Sequence, residues 1–202
     1  MNRKWGKIVL YQGVILAGGH SKRFGSPKAF AEKDGFPFYT YSIKALEKHC
    51  QSLVLVTNPH LKKQFDQAIT KQSINIVNDE PEFRGQGPLS GIYTAMKNFP
   101  AEWYFVSPID VPFISAKVYE LLLDHVSNKY DVIVPIVKEK LQPLLAIYHH
   151  SLQGAIKRSL QMQQNSLQEF LVNKKIKYVF IECDQFFINI NNQEDYRTYI
   201  QG

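Results

Sequence analysis

The sequence predicts a single α/β domain, a Rossmann-like doubly wound sheet of mostly parallel strands. Three features carry that expectation. Short runs of branched and aromatic residues alternate with segments of helical period along most of the chain, which is the pattern of successive βαβ units. The runs are apolar on consecutive residues, as strands covered on both faces must be. No linker, repeat or low-complexity block divides the chain beyond a mild glutamine cluster at 161–168, and 202 residues suit one ordinary core.

The elements follow in order. Gly13-Val14-Ile15-Leu16-Ala17 reads as a buried strand closed by Gly18-Gly19. Apolar Tyr39, Ile43 and Leu46 with a basic outer face predict a helix over 39–49. A second strand, 53–56, ends at Asn58-Pro59, and helix 61–69 leads to a third strand at 74–77. Helix 89–96, strand 103–106 (ended by Pro108), helix 118–126 and strand 131–134 continue the alternation. The last third is less regular: a strand at 144–148, helices at 153–160 and 167–171, a strand at 178–181, an extended run at 187–191 and a short helix at 194–200. Residues 1–12 read as an N-terminal extension and 13–202 as the domain.

Composition narrows the classes. With 45% apolar residues the chain is too hydrophobic for a disordered protein. No apolar run approaches the roughly 20 residues that cross a bilayer. The basic N-terminus carries only the short Ile8-Val9-Leu10 patch, too little for a secretory core, so a cytoplasmic location without membrane association is expected. Cys50 and Cys183 stand far apart without Cys or His at ligand spacing, and the six histidines form no HxH or HxxxH pattern, so neither a zinc site nor a disulfide framework is expected. The balance of 24 Lys+Arg against 18 Asp+Glu, a net +6, favours anionic partners. No basic helix with interleaved aromatics points to nucleic acid.

In open sheets of this kind ligands sit beyond the carboxyl ends of the strands, near the point where strand order reverses. Three polar groups fall at such ends: the glycine segment after the first strand, Asp79 after the third and Asp110 after the fourth. The segment Leu16-Ala17-Gly18-Gly19-His20-Ser21-Lys22-Arg23-Phe24-Gly25-Ser26-Pro27-Lys28 is the most specific. Its glycines lack the Cβ that would keep a nucleotide from the backbone N–H groups. Lys22, Arg23 and Lys28 add charge suited to phosphate oxygens. It is neither a GxxxxGK[ST] loop nor a GxGxxG fingerprint. Read without it, Asp110 caps a turn or the helix starting near Ser115, Asp79 closes a turn before Glu80-Pro81, and Gly87-Pro88-Leu89-Ser90-Gly91 only starts a helix. Asn189 and Asn191 would then be solvated positions of an edge strand. Arg84 and Lys97 are not distinguishable from surface charges.

These motifs, in this order, resemble the molybdenum cofactor guanylyltransferases, within the nucleotidyltransferases whose LAGG or LAAG loop is followed by RMG and Lys. The likeness runs from Val14 to about Tyr199 and rests on Leu16-Ala17-Gly18-Gly19, Lys28, Val77-Asn78-Asp79, Gly87-Pro88-Leu89-Ser90-Gly91, Pro108-Ile109-Asp110-Val111-Pro112 and Asn189-Ile190-Asn191. The resemblance implies the nucleotide-diphospho-sugar transferase type of fold, and transfer of GMP from GTP to molybdopterin with release of pyrophosphate. It further implies that Leu16, Ala17, Gly18 and Gly19 hold GTP, that Lys28 contacts phosphate and Asp79 the nucleotide, and that Asp110 binds Mg²⁺. Lys28, Arg23 and Asp110 would then be the catalytic set, with Asn189 and Asn191 facing molybdopterin. Acceptor molybdoenzymes or their chaperones would be further partners.

Such chemistry needs neutralised phosphate charge and in-line attack rather than a general base, which suits a chain without a Ser-His-Asp or Cys-His constellation. Departures fall on the pterin side. Gln142-Pro143-Leu144 stands where relatives have His-Pro-Leu, and Asn192-Gln193-Glu194-Asp195 where Thr-Pro-Glu-Asp is common; loss of that proline would loosen the last helix. Phe24 replaces the Met of RMG. A molybdenum cofactor cytidylyltransferase, another NTP:phosphate nucleotidyltransferase, and a non-catalytic nucleotide-binding protein that delivers cofactor are the alternatives.

Overall fold

A computed structural model describes residues 10–19 and 24–202. Its centre is strand β1 (Tyr11–Ala17), which starts two residues upstream of the expected Gly13. β1 is flanked by β4 (Ser52–Thr57) and β6 (Trp103–Pro108), and β5 (Ile74–Asn78) lies beyond β4, all parallel. The chain therefore steps from β1 to β4 to β5 on one side and returns to β6 on the other. A reversal of this kind opens a crevice at the carboxyl ends of the two strands that part, here β1 and β6.

Alternation along each strand feeds two cores. Ile15 and Ala17 of β1, Leu53 and Leu55 of β4, and Trp103 and Phe105 of β6 pack on one face with helices α1 (Phe38–Leu46), α2 (Pro59–Ala68) and α4 (Ala116–Leu123). Val14, Val54, Val56, Tyr104 and Val106 pack on the other with α3 (Pro88–Asn98), α5 (Gln153–Gln161) and α6 (Leu167–Leu171). The doubly wound expectation therefore holds. Asn58 caps α2 by accepting from the His60 and Leu61 N–H groups, and Pro59 takes the first turn, where its missing N–H costs nothing.

The last third corrects the sequence reading. Strand β7 (Val132–Val137) turns through Lys138 and Glu139, both left-handed (φ 45° and 63°), into β8 (Lys140–Leu141). The reversed chain then inserts β9 (Ile147–His149) antiparallel between β6 and β7. The expected strand at 144–148 is thus shorter, because Pro143–Leu145 forms a 3₁₀ turn. β10 (Ile176–Phe180) pairs parallel to β7 and ends the sheet. The extended run at 187–191 is no strand: Asp184–Phe187 is a 3₁₀ turn, and the Ile190 N–H donates to the Asp110 carbonyl at 2.8 Å. A hairpin of β2 (Glu32–Lys33) and β3 (Phe36–Pro37), turning at left-handed Asp34 and Gly35, was not expected.

The last helix, α7 (Gln193–Tyr196) continuing as a π turn over Arg197–Gln201, is not loosened by the missing proline. Asn192 and Asp195 form a reciprocal capping box that satisfies its first N–H groups. Gln193 Nε2 donates to the Phe24 carbonyl at 2.7 Å, and the Tyr196 hydroxyl to that of Glu32 at 2.7 Å. Phe24, Phe38 and Ile190 close a third, small core over these contacts. Among the described residues no helix is long and apolar enough to cross a membrane.

Candidate functional site

The crevice between β1 and β6 holds a cavity of about 280 Å³ lined by Leu16, Gly18, Gly19, Val56, Asp79, Gly85, Gly87, Pro88, Gly91, Pro108, Asp110 and Leu144. Five residues expected at a nucleotide site from the sequence, Leu16, Gly18, Gly19, Asp79 and Asp110, therefore converge from three strand ends. Ala17 does not line it. That residue is buried in β1, and its carbonyl accepts from Thr57 Oγ1 at 3.2 Å, which seats the strand end. Lys22 and Arg23 lie outside the described residues.

The glycines set the cavity's width. A Cβ on Gly91 would stand 2.6 Å from Leu16 Cδ2, and one on Gly18 would stand 3.7 Å from Asp79 Oδ2. The Asp79 carboxylate thus lies between β1's end and the first turn of α3. Gly87 enters that helix at φ 78°, a region open to glycine, and hands over to Pro88 at the first position. Asn58, whose Nδ2 donates to the Gly18 carbonyl at 3.3 Å, ties the glycine segment to the cap of α2. Sequence reasoning read Asn58 only as a strand end; its position before Pro was a cap signal that would have set it beside the loop. Gly85, which carries no chemistry of its own, was likewise missed, and Leu144 was expected only on the pterin side with Gln142 and Pro143.

Asp110 emerges from the end of β6 and does not cap α4. Ser115 does that, accepting from the Lys117 N–H. Asp110 Oδ2 instead accepts from Lys28 Nζ at 3.0 Å, with Lys28 92% buried, while its Oδ1 is buried without a hydrogen-bond partner. A buried carboxylate oxygen left unpaired is costly unless a cation or donor completes it. The set suits a magnesium ion, which takes one or two protein carboxylates and draws its other oxygens from water and phosphate. No group of three or more acidic, His or Cys residues forms a metal site among the described residues.

Burial pushes the Asp79 carboxyl above its ordinary range, against the opposing pull of Ser90, the Gly85 backbone and the Arg84 charge. A second cavity of about 310 Å³ shares Gly18, Asp79 and Gly85 with the first and adds Asn58, Pro59, His60 and Arg84. Arg84 thus faces a cavity that adjoins the first. Lys97 does not: it pairs with Glu80 on the far side of α3's end, with Asn98 donating to the same carboxylate. Asn189 is exposed and Asn191 half-buried, with the Asn191 N–H held by Asp195 Oδ2 at 2.7 Å. Neither lines the cavity, although Ile190 between them is bonded to the Asp110 backbone.

Residues 13–178 match the MobA-like NTP transferase domain, a span that includes every wall of the cavity. The chain belongs to this family. It is accordingly a nucleotidyltransferase. Two similar relatives, each named probable molybdenum cofactor guanylyltransferase, come from Bacillus cereus strain AH187 and from Bacillus anthracis. Each is 36% identical over 190 residues, covering 92% of this chain and 94% of the relative. The fold matches the crystal structure of molybdopterin-guanine dinucleotide biosynthesis protein A from Archaeoglobus fulgidus with a TM-score of 0.77 at 20% identity, over 95% of this chain and 97% of that one. A nucleotidyl transferase from Methanothermobacter thermautotrophicus superposes with a TM-score of 0.74 at 14% identity, over 95% and 96%.

Proposed function

We propose that this protein transfers GMP from GTP to molybdopterin, yielding the guanine dinucleotide form of the cofactor and pyrophosphate. The observation that carries this reading is the Lys28–Asp110 pair at the rim of the glycine-walled crevice, with one Asp110 oxygen buried and uncompensated. Backbone groups of Leu16, Gly18 and Gly19 receive the nucleoside end, and Asp79, an acceptor when ionised, takes its donors. Lys28 places an ammonium against the phosphates. Arg23, at the family's RMG position, adds a guanidinium to the same chain of oxygens.

The phosphate monoester of molybdopterin attacks the α-phosphorus of GTP. A new P–O bond forms, the α–β bond breaks, and its electron pair leaves with pyrophosphate. The second pKa of such a monoester is about 6, so the nucleophile is already largely ionised and needs no general base. Rate then comes from alignment and charge neutralisation. Asp110 would hold Mg²⁺ through the oxygen left without a partner. When bound, that ion supplies neutralisation of the α-phosphate and the departing pyrophosphate. Lys28 turns from Asp110 to phosphate as the nucleotide enters. Asn189 and Asn191 follow the strap bonded to Asp110 and face the acceptor side, where their carboxamides both donate and accept. The relatives' names, guanylyltransferase in each case, support GTP as donor.

Pyrophosphate release measured with GTP, Mg²⁺ and molybdopterin, with CTP as the matched control, tests the reading. GTP-dependent release that requires molybdopterin is expected. A preference for CTP, or no release with either nucleotide, overturns it.

A further inference from the structure

β10 ends the sheet and pairs only with β7 among the described residues. In this parallel ladder the Ile181 N–H donates to Ile136 and the Lys175 carbonyl accepts from Val132, so alternate residues 175 to 181 face inward. The backbone groups of Ile176, Tyr178 and Phe180 consequently point away from the sheet. Natural edges are blunted by proline, bulges or charge because such a row templates pairing with another strand. The opposite edge, β5, reads Ile-Asn-Ile-Val-Asn and leaves no large apolar side chain exposed. β10 reads Ile-Lys-Tyr-Val-Phe, with no proline and with Lys177 as the one charge inside the strand. Tyr178 is 45% exposed and Phe180 79%, the most exposed large apolar side chain among the described residues.

Charge around this strand is ordered. Lys174, Lys175 and Lys177 lead in, and Glu182 and Asp184 lead out, the latter paired with Lys138 of the same chain. Laid parallel, two copies would stack lysine on lysine. Laid antiparallel about a two-fold axis at Val179, the lysine end of each runs along the acidic end of the other. Tyr178 then stands opposite Phe180 of the second copy, and both belong to the outward-facing set that can exchange backbone hydrogen bonds. A surface that satisfies itself under a two-fold operation is what an isologous dimer requires.

We propose that the β10 edge is the docking surface for a second copy of this chain, which joins two sheets across the two-fold axis. The surface lies outside the nucleotide crevice, on the strand farthest from β5, and is independent of the substrate assigned above. The paired aromatics hold the copies together, and the charge polarity selects the antiparallel register over the parallel one.

Sedimentation equilibrium of the full chain across micromolar concentrations tests this. The unaltered protein is expected to show a reversible monomer–dimer equilibrium. Phe180→Lys should raise the dissociation constant by about a hundredfold, because the substitution enters the interface twice and brings like charge into it. Phe180 is exposed in the monomer, so an unchanged melting temperature under dilute conditions confirms that the variant folds. Lys174→Glu and Glu182→Lys, diagonal neighbours on one face in this register, should each weaken the dimer, and the two together should recover it. A protein monomeric at every concentration overturns the proposal. So does a dimer indifferent to Phe180→Lys, which would place the interface elsewhere, or a charge-reversed double variant no tighter than either single one.

Discussion

Lys28 and Asp110, 82 residues apart in sequence, meet at 3.0 Å where a 3₁₀ turn at Lys28–Phe30, closing the glycine segment, faces the loop that leaves β6. The pair clasps two segments remote in sequence. The lysine neutralises one carboxylate oxygen while the other, buried and unpaired, stays available to a cation. A chain that binds a polyphosphate gains from this exchange, since incoming anion and cation each replace one half of an existing ion pair.

Asp110→Ala should retain the fold, because the residue sits on a loop whose helix is capped by Ser115, yet lose turnover by ~10²–10⁴-fold. Pyrophosphate release at saturating Mg²⁺, beside the thermal transition of the same preparation, checks both halves. Near-normal release would remove Asp110 from the chemistry. Lys28→Ala should weaken GTP binding as well as slow transfer, and unchanged affinity and rate would exclude Lys28 from phosphate contact.

Asp79 carries a pH signature opposite to that of a salt-bridged acid. Burial raises its folded pKa above the unfolded value near 3.8, so the folded state binds the extra proton between the two values. Stability therefore falls as pH rises through that window, and the ionised residue is a liability at neutral pH. Asp79→Asn should raise the melting temperature at pH 7, flatten its decline between pH 4 and 7, and weaken GTP binding. Thermal melts over that range, with and without nucleotide, provide the test. A variant less stable at pH 7 but with intact affinity would show that the carboxylate serves the fold.

Two glycines should behave differently on substitution by alanine. At Gly91 the new methyl meets only the flexible tip of Leu16 closely, and helix propensity gains about 1 kcal/mol. Stability should hold while the displaced Leu16 narrows the cavity and raises the KM for GTP. At Gly13 the methyl meets Leu53 at 2.3 Å, with Leu46 and Cys50 at 3.3 and 3.4 Å closing the other sides. A loss of roughly 1–3 kcal/mol is expected there, read by chemical denaturation.

Gln193 holds the exit of the glycine segment by its bond to the Phe24 carbonyl. Gln193→Ala should cost about 1 kcal/mol of stability and raise the KM for GTP more than it lowers kcat, since it loosens a binding segment and touches no reacting atom. Gln193→Glu, which cannot donate, should resemble the alanine variant. An unaltered KM in both would confine the contact to the fold.

Reading the chain in order recovered the parallel core and most of the crevice because both follow from local signals. Buried strands announce themselves by consecutive apolar residues, and the glycine segment, Asp79 and Asp110 each stand directly after one. Legibility failed where geometry depended on partners far away. The turn at Lys138 and Glu139 lacks the glycine or asparagine that marks left-handed backbone, so β9's reversal was hidden. The Asp34-Gly35 hairpin did carry such a signal.

Sequence alone determined which polar groups and glycines follow the strands and which strands would be covered on both faces, because side-chain chemistry and hydrophobic period are properties of neighbours along the chain. Tertiary structure decided that Asp110 answers Lys28 rather than a helix N-terminus. It also decided that Asn58 and Gln193 brace the two ends of the glycine segment and that Tyr178 and Phe180 are left uncovered. Those outcomes rest on distances between residues remote in sequence, which only the closing of the sheet and its three cores can set.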